Sequence, residues 1–153
     1  GNSMKIRYET PPKTMAMIRE KWGPFDLDPC CEARTAKAEN YFTAEENGLA
    51  KDWFGRVYMN PPYGDKNLYY WMKKAYEESQ KGSTVVCLVP AQTGSKWFQK
   101  WALLGKVHHL PGKVYFLLDG EKVGAPILHS IVVEFPPASL AGMDGDKTKQ
   151  GER

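Results

Sequence analysis

The sequence predicts an α/β fold, a mainly parallel sheet with an antiparallel edge. Three observations carry this. Strand-like and amphipathic helical segments alternate through most of the chain, two strand segments stop at a polar residue followed by proline, and the last third holds consecutive strand segments with no helix between them. Strands separated by helices return to the same end of a sheet and run parallel, whereas strands joined by turns reverse.

The first element is expected to start at Thr10, a good N-cap residue followed by prolines suited to a first helical turn, and to stop at Gly23. Met15, Ile18 and Trp22 then share one face. Residues 25–28 read as a strand ending at Pro29, and residues 56–59 as a second ending at Asn60. From Leu68 to Ser79 apolar or small residues recur at helical spacing, with Lys73, Lys74, Glu77, Glu78 and Lys81 outside and Gly82 as the stop. Residues 84–89 form a continuous β-branched run that suits a strand buried on both faces. Ser95 is placed to cap a helix bearing Trp97, Phe98, Trp101 and Leu104 before Gly105. Residues 106–110, 114–118 and 130–135 read as strands, separated by Pro111-Gly112 and Asp119-Gly120, with a hairpin-like return.

A chain of 153 residues fits one domain with its own core. Residues 1–7 read as an expression remnant and N-terminal arm, 8–137 as the domain, and 138–153, without apolar periodicity, as a loose tail. Apolar residues at 42% and charged residues at 25% describe a globular chain. The apolar runs are far shorter than a membrane span and no leader precedes them, so a cytoplasmic location is expected. Cys30, Cys31 and Cys87 form no CxxC pair, so neither a disulfide framework nor a metal site is expected. The net charge of +3 suits a polyanionic partner but does not select one.

In an open α/β sheet, ligands sit beyond the carboxyl ends of the strands, where Asp28-Pro29 and Asn60-Pro61-Pro62-Tyr63 would both lie. Pro61 and Pro62 stiffen the backbone and remove two N–H donors, leaving an acceptor cradle with an aromatic ring beside it. The exocyclic amine of a nucleobase suits that environment. Its nitrogen lone pair is delocalised into the ring, and the Asn60 side-chain oxygen and the Pro61 carbonyl could accept its hydrogens and localise the pair for attack on a methyl donor. A base from a duplex would have to be flipped out, with stacking on Tyr63 offsetting the loss. The alternative is a plain turn, since Asn and Pro are common turn residues. A tetrapeptide of this type arises by chance in about one such chain in a few hundred.

Further motifs stand in order around this loop: Tyr8-Glu9-Thr10-Pro11, Asp26-Leu27-Asp28-Pro29-Cys30, Asn47-Gly48-Leu49 followed by Trp53, Asn60 through Gly64, Val89-Pro90-Ala91, and Gly112-Lys113 before Phe116. Together they make the chain resemble the phage and prophage DNA N6-adenine methyltransferase family, a Dam-like group, over roughly residues 8–135. The resemblance implies a compact Rossmann-like fold, S-adenosylmethionine as methyl donor and DNA as partner. It implies that Asn60, Pro61, Pro62 and Tyr63 hold the target adenine. It also implies that Asp28, Pro29 and Cys30 meet the cofactor, joined by Asn60 and by Thr10 and Pro11, which close over its methionine end. N4 of cytosine carries the same kind of amine and stays open as a target, as does a non-catalytic relic of the fold. Glu45, Glu46 and Asn47 compete to hold the ribose hydroxyls. Two departures stand out: Asp28-Pro29-Cys30-Cys31 replaces the glycine-rich turn of larger relatives, and no insertion is long enough for a separate target-recognition domain.

Other residues carry blander expectations. Asp26 alternates with Asp28 on the strand and is read as structural. Cys30 and Cys31 read as packed residues, and His108 and His109 stay outside the site. Trp97, Phe98 and Trp101 read as core, though stacking on bases is the sharper alternative, and Lys66, Lys73, Lys74, Lys96 and Lys113 are candidate phosphate contacts.

Overall fold

The structure is a computed structural model and describes residues 9–112, 114, 117, 118, 121, 122 and 129–138. Helix α1 (Pro12–Trp22) opens the chain, followed by strands β1 (Leu27–Asp28), β2 (Asn40–Tyr41) and β3 (Arg56–Met59), with short 3₁₀ turns at Ala33–Thr35 and Gly48–Ala50. Helix α2 (Asp65–Gln80), strand β4 (Thr84–Pro90), helix α3 (Lys96–Lys100) and strand β5 (Lys106–His109) follow. A two-stranded pair, β6 (Leu117–Leu118) with β7 (Glu121–Lys122), precedes the last strand, β8 (Ser130–Phe135).

Six strands form one sheet in the order β2-β1-β3-β4-β8-β5. β2, β1, β3 and β4 pair in parallel, and β8 runs antiparallel between β4 and β5. The antiparallel pairing thus sits at the end of the sheet predicted for it. Side chains alternate across the pleat. Val57, Met59, Val85, Cys87 and Val89 face one cluster with Leu68, Trp71 and Met72 of α2 and Trp97 and Phe98 of α3. Tyr58, Val86, Leu88 and Val132 face the other with Met15, Ile18 and Trp22 of α1. Helices cover both faces, which is why β4 reads as an unbroken apolar run.

Several expectations are corrected. Thr10 does not cap α1: the N-cap is Pro11, with no side-chain cap bond, and Thr10 is 1% exposed with its hydroxyl engaged elsewhere. The ladder of β1 is shorter than residues 25–28, although the Asp26 amide already donates to the Arg56 carbonyl at 2.7 Å. Strand β2 has no hydrophobic signature because it is a two-residue edge strand held by backbone pairing to β1. The helix expected through Leu104 breaks at Trp101 into a 3₁₀ turn, although Ser95 caps its start as predicted, accepting from the Phe98 amide at 3.4 Å. Of the strand expected over 114–118, Leu117 and Leu118 pair in β6 and Val114 is not in a strand, while residues 115 and 116 and the proposed turn at Asp119-Gly120 lie outside the described residues. So do Tyr8, Lys113 and residues 139–153 of the expected tail.

Glu78, expected on the outer face of α2, is buried at 2% exposure. Its Oε1 accepts the Trp53 amide at 2.9 Å, and its Oε2 meets Lys74 Nζ at 2.9 Å and Lys81 Nζ at 2.8 Å. Burial works against its charge, but the bonds from Lys81, Trp53 and Lys74 outweigh it and hold the carboxyl below its ordinary range. Glu78 therefore ties α2 to the segment carrying Trp53 and the 3₁₀ turn at Gly48–Ala50. Among the described residues no helix is long and apolar enough to cross a membrane.

Candidate active site

The loops that leave the carboxyl ends of β1 and β3 lie side by side, since Leu27 stands opposite Val57 and the chains exit at Pro29 and at Asn60. Asn60 is half-buried, and its Nδ2 donates to Thr10 Oγ1 at 3.2 Å. Thr10 Oγ1 in turn lies 2.6 Å from the Tyr58 hydroxyl. Pro61 and Pro62 are buried behind Asn60, so the loop is backed by packing as well as by its fixed φ angles. The half-buried Tyr63 offers its carbonyl to Asn67 Nδ2 at 2.9 Å, and Gly64 then turns at φ +109°, a conformation that favours glycine, into α2.

Next to this loop, on the α2 side, a small cleft opens to solvent. Pro29 and Cys30 form one wall, Thr43, Asn47 and Leu49 another, and Asn67 and Trp71 of α2 a third. Trp71 is stacked on Trp53, ring centroids 6.3 Å apart. Trp53 Nε1 donates to the Gly48 carbonyl at 2.9 Å, and Asn47 adopts φ +57° while its side chain accepts from the Leu49 amide at 3.3 Å. Gly48 packs against the Pro29 carbonyl so closely that a Cβ there would fall far inside van der Waals contact. Gly48 thus lets the loop after β2 pack directly on the loop after β1.

A family model for DNA N-6-adenine-methyltransferase (Dam) matches residues 2–122. The chain belongs to this family. A DNA N-6-adenine-methyltransferase of Escherichia phage T1 is 30% identical over 100 residues, which are 63% of this chain and 41% of that protein. One of Haemophilus phage HP1 (strain HP1c1) is 37% identical over 75 residues, 48% of this chain and 43% of that protein. The matched region thus spans about two-fifths of the length of these curated relatives.

Within this Dam-family fold, the residues singled out from the sequence take different positions. Pro29 and Cys30 line the cleft. Asn60, Pro61, Pro62 and Tyr63 form the adjoining loop, with Thr10 packed under Asn60, and the half-buried Pro11 accepts the Met15 amide at 3.0 Å as α1 begins. Of the three candidates after β2, Asn47 lines the cleft, whereas Glu46 Oε1 is spent on the Thr43 amide at 2.8 Å; Glu45 is exposed and is not part of the cleft wall. Asp26 accepts the Arg56 amide at 2.8 Å, the structural role expected of it. Cys30, Cys31 and Cys87 are buried, as are Trp97 and Phe98, while Trp101 is half-buried. His108 contacts Glu134 at 3.0 Å and the edge of Trp22. Lys74 is committed to Glu78 and Lys73 lies 3.9 Å from Glu77, while Lys66 and Lys96 are exposed.

Asp28 is 2% exposed and is not among the residues that line the cleft. Its Oδ1 accepts the Cys30 amide at 3.3 Å and its Oδ2 the Lys37 amide at 2.9 Å, so it shapes the loop that carries Pro29 and Cys30. Burial pushes its pKa up from 3.8 to about 6, and the bonds from Lys37 and Cys30 pull back only part of that. Between those two values the folded protein holds a proton that the unfolded chain has released. Stability contributed by the neutral carboxyl is therefore lost as pH rises from about 4 to 6, by roughly 3 kcal/mol. Glu78 acts with the opposite sign, losing stability as pH falls through its lowered pKa. The urea midpoint of the wild type is expected to fall more steeply than that of Asp28→Asn as pH rises through this window. Equal slopes in the two proteins would remove Asp28 as the titrating group.

The residues that sequence reasoning missed are Asn67, Trp71, Thr43 and Tyr58. Asn67 and Trp71 lie in the helical run after the loop, where a strong core periodicity hides a cleft-facing role. The signal for Asn67 was its place in the first turn of α2, three residues after Gly64, where a polar side chain can reach back to the preceding loop.

Proposed function

We propose that this chain transfers a methyl group from S-adenosylmethionine to N6 of an adenine flipped out of DNA. The observation that carries the reading is the placement of Asn60. It is held by Thr10 at the end of β3, next to the cleft that opens at Pro29 and Cys30. The walls of that cleft suit an adenosine-type donor, with apolar surface from Pro29, Leu49 and Trp71 and polar groups from Asn47, Asn67 and Thr43. Asn47 would hold the ribose end and Trp71 the apolar base, while Pro29 and Cys30 would steer the methionine end toward Asn60. When bound, S-adenosylmethionine supplies a methyl group made electrophilic by its sulfonium.

The chain's own residues then provide positioning and acceptors. The Asn60 side-chain oxygen and the Pro61 carbonyl accept the hydrogens of the target amine, which localises the nitrogen lone pair for attack. Pro61 and Pro62 keep these acceptors from relaxing as charge develops, because neither residue can rotate φ. The Tyr63 ring stacks on the extruded base and offsets part of the lost base stacking. The reaction is assigned to the cytoplasm, where bacterial and phage DNA is met.

Incubating the protein with labelled S-adenosylmethionine and unmethylated DNA, then digesting to nucleosides, is expected to place label in N6-methyladenine. Label in N4-methylcytosine would move the target to the other amine. DNA and donor binding with no label in any nucleoside would make the chain a binding relic.

A further inference from the structure

Asn60 is held by the buried hydroxyl of Thr10, which is itself bonded to a second buried hydroxyl, that of Tyr58. Tyr58 and Thr10 are each 1% exposed, and their oxygens lie 2.6 Å apart. Tyr58 and Asn60 are two residues apart where β3 ends, and Thr10 reaches both, the phenol of one and the amide of the other. The Tyr58 ring is clamped by Phe25 at 5.4 Å between centroids and belongs to the cluster with Met15, Ile18 and Leu88. A buried phenol needs a partner for its hydroxyl, and Thr10 is that partner. Thr10 Oγ1 also accepts from Asn60 Nδ2 at 3.2 Å. A hydroxyl oxygen has two acceptor sites and one donor, so it can serve both neighbours at once.

We propose that Thr10 and Tyr58 are positioning residues that orient the Asn60 amide through a core-anchored chain, Tyr58 Oη to Thr10 Oγ1 to Asn60 Nδ2. An amide has a nitrogen edge and an oxygen edge. Anchoring the nitrogen edge to Thr10 decides where the oxygen edge points, and the rigid Tyr58 ring decides where Thr10 Oγ1 sits. The proposal rests on the reading of Asn60 as the group that grips the target amine. It differs from a role of Thr10 in contacting the donor, because its effect runs through Asn60. A threonine that only folded the N-terminal segment against the sheet would be replaceable by valine, which keeps its shape.

Thr10→Val and Tyr58→Phe remove one hydroxyl each with little change of volume, and Thr10→Ser keeps the hydroxyl. Both removals are expected to lower kcat by about tenfold to a hundredfold. The Kd for S-adenosylhomocysteine, the demethylated donor, should change less than about twofold. Thr10→Ser should restore most of the rate, and the double variant should be no slower than Thr10→Val alone, because both act through one chain. The Asn60 side-chain amide resonances in ¹H–¹⁵N spectra should shift in both single variants and return in Thr10→Ser. Wild-type rates and unshifted resonances in Thr10→Val and Tyr58→Phe would overturn the proposal. So would a loss of rate matched by an equal loss of S-adenosylhomocysteine affinity. A wild-type protein that transfers no methyl group would instead defeat the reading of the function, and the amide resonances would still decide whether the chain orients Asn60.

Discussion

Asn60→Ala is expected to lower methyl transfer by about 10²–10³-fold, the range found when one preorganised polar contact to a reacting centre is removed. The physical reason is that alanine removes the side-chain oxygen proposed to accept from the target amine, and nothing else in the loop can replace it: Pro61 and Pro62 are buried and cannot rotate into its place. The donor cleft should survive, since its walls come from Pro29, Cys30, Asn47, Leu49, Asn67 and Trp71. Single-turnover methylation together with S-adenosylhomocysteine titration checks both halves. Affinity should stay within about twofold while the rate collapses. A variant that still methylates at the wild-type rate would place the chemistry elsewhere on the sheet edge.

Gly48→Ala should damage both the fold and donor binding. The new methyl group would run into the Pro29 carbonyl, a backbone atom of the opposite cleft wall that cannot swing aside as the end of a side chain could. The two walls must part. The carbonyl of Gly48 is also the acceptor for Trp53 Nε1 at 2.9 Å, and Trp53 stacks on Trp71, so the displacement spreads into the third wall. Overpacking of this kind costs about 1–3 kcal/mol of stability. If about 1.4 kcal/mol of it falls on the cleft, the Kd for S-adenosylhomocysteine rises about tenfold. Urea denaturation and calorimetric titration read the two effects. An unchanged midpoint with unchanged affinity would mean that Pro29 and Gly48 are not in contact in solution.

These two residues were legible in the sequence to very different degrees. Asn60 announces itself, because a polar residue followed by two prolines, at the end of a β-branched strand and before an amphipathic helix, is a local pattern. Gly48 stood in a motif whose physical purpose was invisible, because the reason it must be glycine is the carbonyl of a residue in another loop. Thr10 shows the same limit from the other side. Its position before two prolines predicts a helix cap, yet its hydroxyl is drawn 48 residues along the chain to Tyr58. Glu78 was assigned to the solvent face by its charge, and the Trp53 amide and two lysines made burial the better place for it. Asp28 was marked out by its place at the strand end, and its carboxylate takes up the amides of Cys30 and Lys37, partners the sequence did not show.

The alternation of β1, β3, α2, β4 and α3, the parallel core with its antiparallel end and the Asn60–Tyr63 loop were determined by the sequence alone. Two-residue and helical periodicities, caps and turn residues are local physics, and their partners lie within a few positions. Only the tertiary structure decided which side chains meet: Gly48 against Pro29, Glu78 beneath Trp53, Asn67 on the Tyr63 carbonyl, and Tyr58 and Thr10 under Asn60. Most of those contacts join residues about 20 to 50 positions apart. The need of each buried polar group for a partner is general, but which group supplies it is set by how the sheet and its loops pack.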